Sequence, residues 1–166
     1  APVLLDPAAA SGFPADWVVS DRATLDWSDD GARVYFGIKP QVPVQETRRR
    51  NPDTEADVDV WHTAEERIQS QQMVRAQQDQ NFTYRQAFDV GRRAFITLTD
   101  DTMRDIDIAL TGRWAVGRDT RGYIHDYERP AADLYRVDTT TGERTLMFKG
   151  QLIGSHLFGI SPNGRQ

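Results

Sequence analysis

The chain contains no cysteine, so disulfides and thiolate chemistry are excluded and the redox state of its compartment stays open. Histidine is scarce: His62, His125 and His156 are the only three, and none has a triad partner that the sequence can name. Long apolar runs are missing as well; none approaches the roughly 18 residues that span a bilayer. There is no basic n-region leading into an apolar h-region, since Ala1-Pro2-Val3-Leu4-Leu5 is brief. A signal peptide cut from the mature chain would leave no trace, so cytoplasm and periplasm both suit it. An excess of basic charge is lacking too: 20 Lys and Arg face 25 Asp and Glu, a formal charge of -5 with pI near 5.2. That balance argues against a nucleic-acid surface. Arg48-Arg49-Arg50, the one basic run, sits beside Asn51-Pro52-Asp53 and reads as a solvated loop. What is present suits a soluble globular protein: 39% hydrophobic and 27% charged residues, with a mean hydropathy of -0.62.

The dominant pattern is short-period alternation. In "LDWSDDGARVYFGI" (25–38), Leu25 and Trp27 alternate with Asp26, and Val34 and Phe36 alternate with Arg33 and Tyr35. Between them Ser28-Asp29-Asp30-Gly31 is a turn, with Ser28 and Asp29 expected to accept main-chain N–H bonds and Gly31 free to take positive φ. The device recurs in "GISPNG" (159–164). Further strands are predicted at 17–19, 23–27, 33–39, 56–62, 84–90, 93–99, 105–111, 113–119, 133–139, 143–149 and 155–161, with turn residues such as Thr111-Gly112 and Thr139-Thr140-Thr141-Gly142 between them. One segment differs. "TAEERIQSQQMVRAQQDQ" (63–80) opens with a Thr63/Glu66 capping box and reads as an exposed helix, with Gln-rich disorder as the rival.

Many short strands with regular turns and no recurring helix indicate an all-β fold. Residues 1–16 are an irregular lead-in. Residues 17–166 read as an incomplete β-propeller of about two to three blades, at roughly 40 to 50 residues per blade. A loop and helix at 40–83 is inserted into it. Propellers need about four blades to close, so the last turn, Ser161 to Gly164, stands where another strand is expected to begin.

Candidate chemistry is thin. "GISPNG" is not a nucleophile elbow, because Pro162 removes an N–H that an oxyanion hole would use; Ser161 holds a bend. "HTAEE" from His62 lacks the second histidine of a zinc motif. Asp100, Asp101, Asp105 and Asp107 cluster in "DDTMRDID" but lack the glycine and terminal glutamate of a calcium loop, so a turn followed by an exposed strand face is the simpler reading. "RDTRGYIHDYERP" (118–130) mixes Tyr123, His125 and Tyr127 with Arg118, Arg121 and Arg129, either a recognition loop or a long connection packed on its own strands. Trp17, Trp27, Trp61 and Trp114 are expected as strand-face core.

"WSDDGARVYFG", "ADVDVWHTAEERIQSQQMVRAQQ", "ADLYRVDTTTGERTLM" and "GISPNGR" together resemble the N-terminal β-propeller of prolyl-oligopeptidase-type (family S9-like) serine peptidases. Bacterial members with a DV-x-W-H strand and a Gln-rich segment are most similar. The resemblance implies a non-catalytic propeller segment that gates or orients peptide substrate for an α/β-hydrolase domain of the same polypeptide. The family's triad residues map to nothing here, so no catalytic, metal or cofactor-binding residue is assigned. The alternative is a TolB- or WD40-like propeller acting as a protein-interaction module. Either way, open strand edges predict self-association.

Overall fold

The computed structural model describes residues 3–41, 74, 81–109, 111–124 and 129–153. Among them the chain is mostly strand: β1 (Trp17–Val19), β2 (Asp26–Trp27), β3 (Arg33–Pro40), β4 (Tyr84–Asp89), β5 (Ala94–Thr97), β6 (Asp105–Ile108), β7 (Trp114–Asp119), β8 (Ala131–Asp138) and β9 (Arg144–Leu152). The all-β expectation holds. The strand expected over 56–62, the 155–161 strand and the 161–164 turn lie outside the described residues. So does the 63–80 helix, apart from Val74, which is helical.

Two antiparallel sheets result. The first runs β1-β3-β4-β5, with β2 also paired to β3, and the second runs β6-β7-β8-β9. The predicted 23–27 strand is shorter than expected, because β1 and β2 share β3 as partner and residues 20–25 loop out between them. The turn after β2 forms as expected, with one exchange. Ser28 Oγ accepts the Arg33 N–H at 3.0 Å, but it is Asp30, not Asp29, that accepts from Ala32 N at 2.9 Å and from Ser28 Oγ. Gly31 supplies φ of 64°.

The residue types explain which faces close. Along β3, Tyr35 points toward the second sheet, whereas Phe36 and Ile38 point away from it. Tyr35, Ala87, Ile96 and Leu98 of the first sheet pack on Met103, Ala115 and Val137, with Ile106, Ile108 and Tyr135 at the margin. A fully buried Leu98 is worth about 2 kcal/mol on transfer grounds. Phe36, Ile38, Tyr84 and Phe88 form a second cluster, covered by Leu5, Phe13 and Trp17 from the lead-in and β1. The buried amide of Gln86 is satisfied at both ends, donating to Thr99 O and accepting from Leu98 N, each at 2.8 Å.

Directional contacts lock the sheets together. The Tyr35 hydroxyl donates across to the Gly112 carbonyl, to which Thr139 Oγ1 donates from within the second sheet, also lying 3.0 Å from Arg113 O. Arg92 Nη2 donates to Thr140 O at 2.7 Å, and Arg144 reaches Leu98 O at 3.0 Å. Two glycines permit this approach. A Cβ on Gly112 (φ 73°) would lie 2.7 Å from Ser28 Cβ, and one on Gly142 (φ 79°) would lie 2.5 Å from Thr97 O.

The sheets also repeat one another. Ser28 N donates to Arg33 O and Ala109 N donates to Trp114 O. Arg33 pairs with Asp89 in register, as Trp114 does with Asp138. Asp89 and Asp138 each accept a main-chain N–H from the following turn at 2.8 Å. Gly31 then matches Gly112, and Trp27, Val34 and Phe88 match Ile108, Ala115 and Val137. The matched residues lie on the inter-sheet side of the second sheet but on the far side of the first. The stacking is therefore head-to-tail.

Replacing Tyr35 with Phe removes the directional bond but keeps the ring, and is expected to cost about 1–2 kcal/mol. Gly142→Ala adds left-handed strain and a clash with a carbonyl, and is expected to cost more, about 2–3 kcal/mol. Urea denaturation read by circular dichroism checks both, with the Gly142 change the larger.

Candidate functional site

Two surfaces stand out, and they differ in chemistry. The first is a polar groove of about 460 Å³ between the leading strands β2 and β6. Arg85 on β4 lines its first-sheet side, donating to Thr24 O at 2.9 Å and pairing with Asp26. The hydrogen bond from Arg85 lowers the Asp26 pKa, helped by the Thr24 hydroxyl. Across the groove Asp105 and Asp107, on the exposed face of β6, both pair with Arg118 of β7. Burial opposes the charge on Arg118, but the bond to Asp107 and the two carboxylate charges outweigh it and raise its pKa. Arg104 lines the same groove, bonds Asp101 at 3.0 Å, and lies over the Phe82 and Tyr84 rings.

The described residues of this groove are fixed donors and acceptors. Ser28 Oγ is spent on its turn and the Tyr35 hydroxyl on Gly112. Its carboxylates and guanidinium groups are paired with one another by charge-assisted bonds.

The second surface is an apolar hollow of about 410 Å³ on the far side of the first sheet. Val19, Leu25 and Trp27 face it from one side and Val34, Phe88 and Val90 from the other, with every lining residue hydrophobic. Leu25 is 69% and Trp27 63% exposed. The outer face of the second sheet is of another kind: Arg113 and Arg136 both stack on Trp114, at 5.1 and 4.7 Å from its ring.

The tryptophan expectation is thus corrected in part. Trp17 is half-buried edge-on to Tyr84 and Trp114 is half-buried between arginines, but Trp27 is exposed. Trp61, His62, His125, His156 and Ser161 lie outside the described residues. The four clustered aspartates are separately engaged. Asp100 accepts from Thr102 N at 2.8 Å and pairs with Arg144, while Asp101 accepts from Tyr84 and Arg104. Asp100 and Asp101 form a turn and Asp105 and Asp107 an exposed strand face, as read from the sequence. Among the described residues no group of three His, Asp or Glu is placed to hold a metal ion. The described part of the 118–130 loop packs on its own sheet: Tyr123 donates to Asp133 at 2.6 Å, and Arg121 pairs with Asp119 at 2.8 Å.

Comparison with protein-family models, with curated proteins and with solved structures gives no match.

The two equivalent strand-end aspartates give a pH test. Burial raises the pKa of both Asp89 and Asp138. Bonds from Arg92 outweigh it at the first, and bonds from Thr140 with the Arg113 charge outweigh it at the second, so both lie below the usual 3.8. A depressed carboxylate stabilises the fold above its unfolded pKa and loses that contribution as pH falls through the folded value. Thermal melts should therefore fall steeply below about pH 3.8. Asp89→Asn and Asp138→Asn should lower Tm at pH 7 and flatten that acid decline.

Proposed function

We propose that this chain is a non-catalytic segment of a β-propeller of the prolyl-oligopeptidase type, which gates or orients peptide substrate for an α/β-hydrolase domain. The observation that carries this reading is the head-to-tail stacking of two matched antiparallel sheets, Trp27, Val34 and Phe88 answering to Ile108, Ala115 and Val137. Sheets stacked in one sense about a shared inner edge are the units of a propeller. The groove between β2 and β6 lies at that edge, where a propeller has its channel, and its Asp and Arg side chains suit an extended polar chain.

A second reading, a TolB- or WD40-like interaction propeller, is favoured by the exposed Leu25 and Trp27, since uncovered apolar surface marks an association site. Activity and coding sequence separate the two. The chain alone is expected to leave peptide and ester substrates untouched, and turnover that disappears in Ser161→Ala would overturn the non-catalytic assignment. A downstream G-x-S-x-G followed by Asp and His supports the peptidase reading; further blades without them support the interaction module.

A further inference from the structure

We propose that the seam between the two sheets is an acid-opened joint: loss of carboxylate charge along it frees one sheet from the other before either sheet unfolds. The inference goes beyond the propeller reading and does not depend on it. It rests on how the seam is fastened. The apolar contact includes two alanines, Ala87 and Ala115, so directional clamps carry much of the alignment. Each clamp is an arginine held in place by a carboxylate. At one rim Asp89 accepts from Arg92 Nε at 2.9 Å, and Arg92 Nη2 crosses to Thr140 O at 2.7 Å. At the other Asp100 pairs with Arg144 at 3.1 Å, and Arg144 Nη2 crosses to Leu98 O at 3.0 Å. The ladders within each sheet are main-chain bonds, which do not titrate.

Arg33 supplies the force that opens the joint. It shares the side of β3 with Tyr35, facing the second sheet, and stands opposite Asp89 in register. Its side chain is only 5% exposed. Nη2 bonds the half-exposed Asp30 at 3.2 Å, while Nε has no partner among the described residues. Beside this rim Asp138 pairs with Arg113 at 3.6 Å and accepts from Thr140 N at 2.8 Å. At neutral pH the charges of Asp30, Asp89 and Asp138 balance those of Arg33, Arg92 and Arg113. In acid the carboxylates neutralise and the guanidinium groups do not. A buried cation without counter-charge is costly, and parting the sheets is how water reaches Arg33. The Ser28 hydroxyl bond holds the Asp30 pKa down. At Asp89 and Asp100 burial acts upward, but bonds from Arg92 at the first, and from Thr102 and Arg144 at the second, outweigh it. Such carboxylates stabilise the fold above the usual 3.8 and lose that contribution as pH falls through their folded values.

Acid titration of the intact chain, followed by near-UV and far-UV circular dichroism and by small-angle X-ray scattering, tests this. Below about pH 3.8 the near-UV signal should fall and the radius of gyration rise by about 10–20%, while the far-UV strand signal persists. Arg33→Met should shift that opening to lower pH or abolish it. Arg33→Gln, which keeps an N–H for Asp30, should do the same, whereas Arg33→Lys keeps the charge and should keep the opening. Arg136→Met removes an equal charge from the outer face of the second sheet and should leave the opening where it is. A near-UV signal retained down to about pH 2 overturns the proposal, as does its loss in one step with the far-UV signal. So does an opening that stays put in both uncharged Arg33 variants, or one that Arg136→Met moves as far.

Discussion

The bond from the Tyr35 hydroxyl to the Gly112 carbonyl is the constraint on which the rest of the structure depends. The contact between the sheets is otherwise built from Ala87, Ile96, Leu98, Ala115 and Val137, and aliphatic contact has no preferred direction. Two such faces could slide by a residue at little cost. A buried phenol and a buried carbonyl cannot, because each left without its partner would cost about 1–3 kcal/mol. Thr139 adds a second donor at the same point, and Gly112 leaves room for both oxygens to reach the carbonyl. Arg92 and Arg144 then fasten the rim by reaching main-chain oxygens of the opposite sheet.

With the sheets held in one register, their leading strands face each other and define the polar groove. The chain is acidic overall, yet along this groove the aspartates meet arginines: Asp26 with Arg85, Asp101 with Arg104, and Asp105 and Asp107 with Arg118. Those pairs are partly exposed, so each contributes little stability. Their effect is to hold charged groups in place along an open channel. The far side of the first sheet is apolar, whereas the outer face of the second carries Trp114 between two guanidinium groups, on the same side as Asp105, Asp107 and Arg118.

Much of the strand layout was legible because period-two alternation marks a strand with one buried face. β3, β4, β7 and β8 fall close to where alternation and turn residues put them. The β2 turn was legible through Ser28 and Gly31, though the acceptor is one residue later than read, at Asp30. Less legible was anything needing knowledge of what covers a face. Leu25 and Trp27 alternate like core residues, yet both are exposed, which alternation does not reveal. Likewise, Tyr35 reads as another strand aromatic, since its partner Gly112 is far away in sequence. The match between sheets was visible only as recurring Gly turns; the register of Arg33 with Asp89 and Trp114 with Asp138 was needed to align them.

Stacking that joins unlike faces gives the pair of sheets a handed sense, like two steps of a staircase. Each further step made by the same contact must repeat the same turn, so an arc of such steps either meets its own start or winds past it. The spacing between the two steps is set at Gly112, which meets Ser28, and at Gly142, which meets the Thr97 carbonyl. A single methyl group there would act less on one bond than on the curvature of every assembly built from the step.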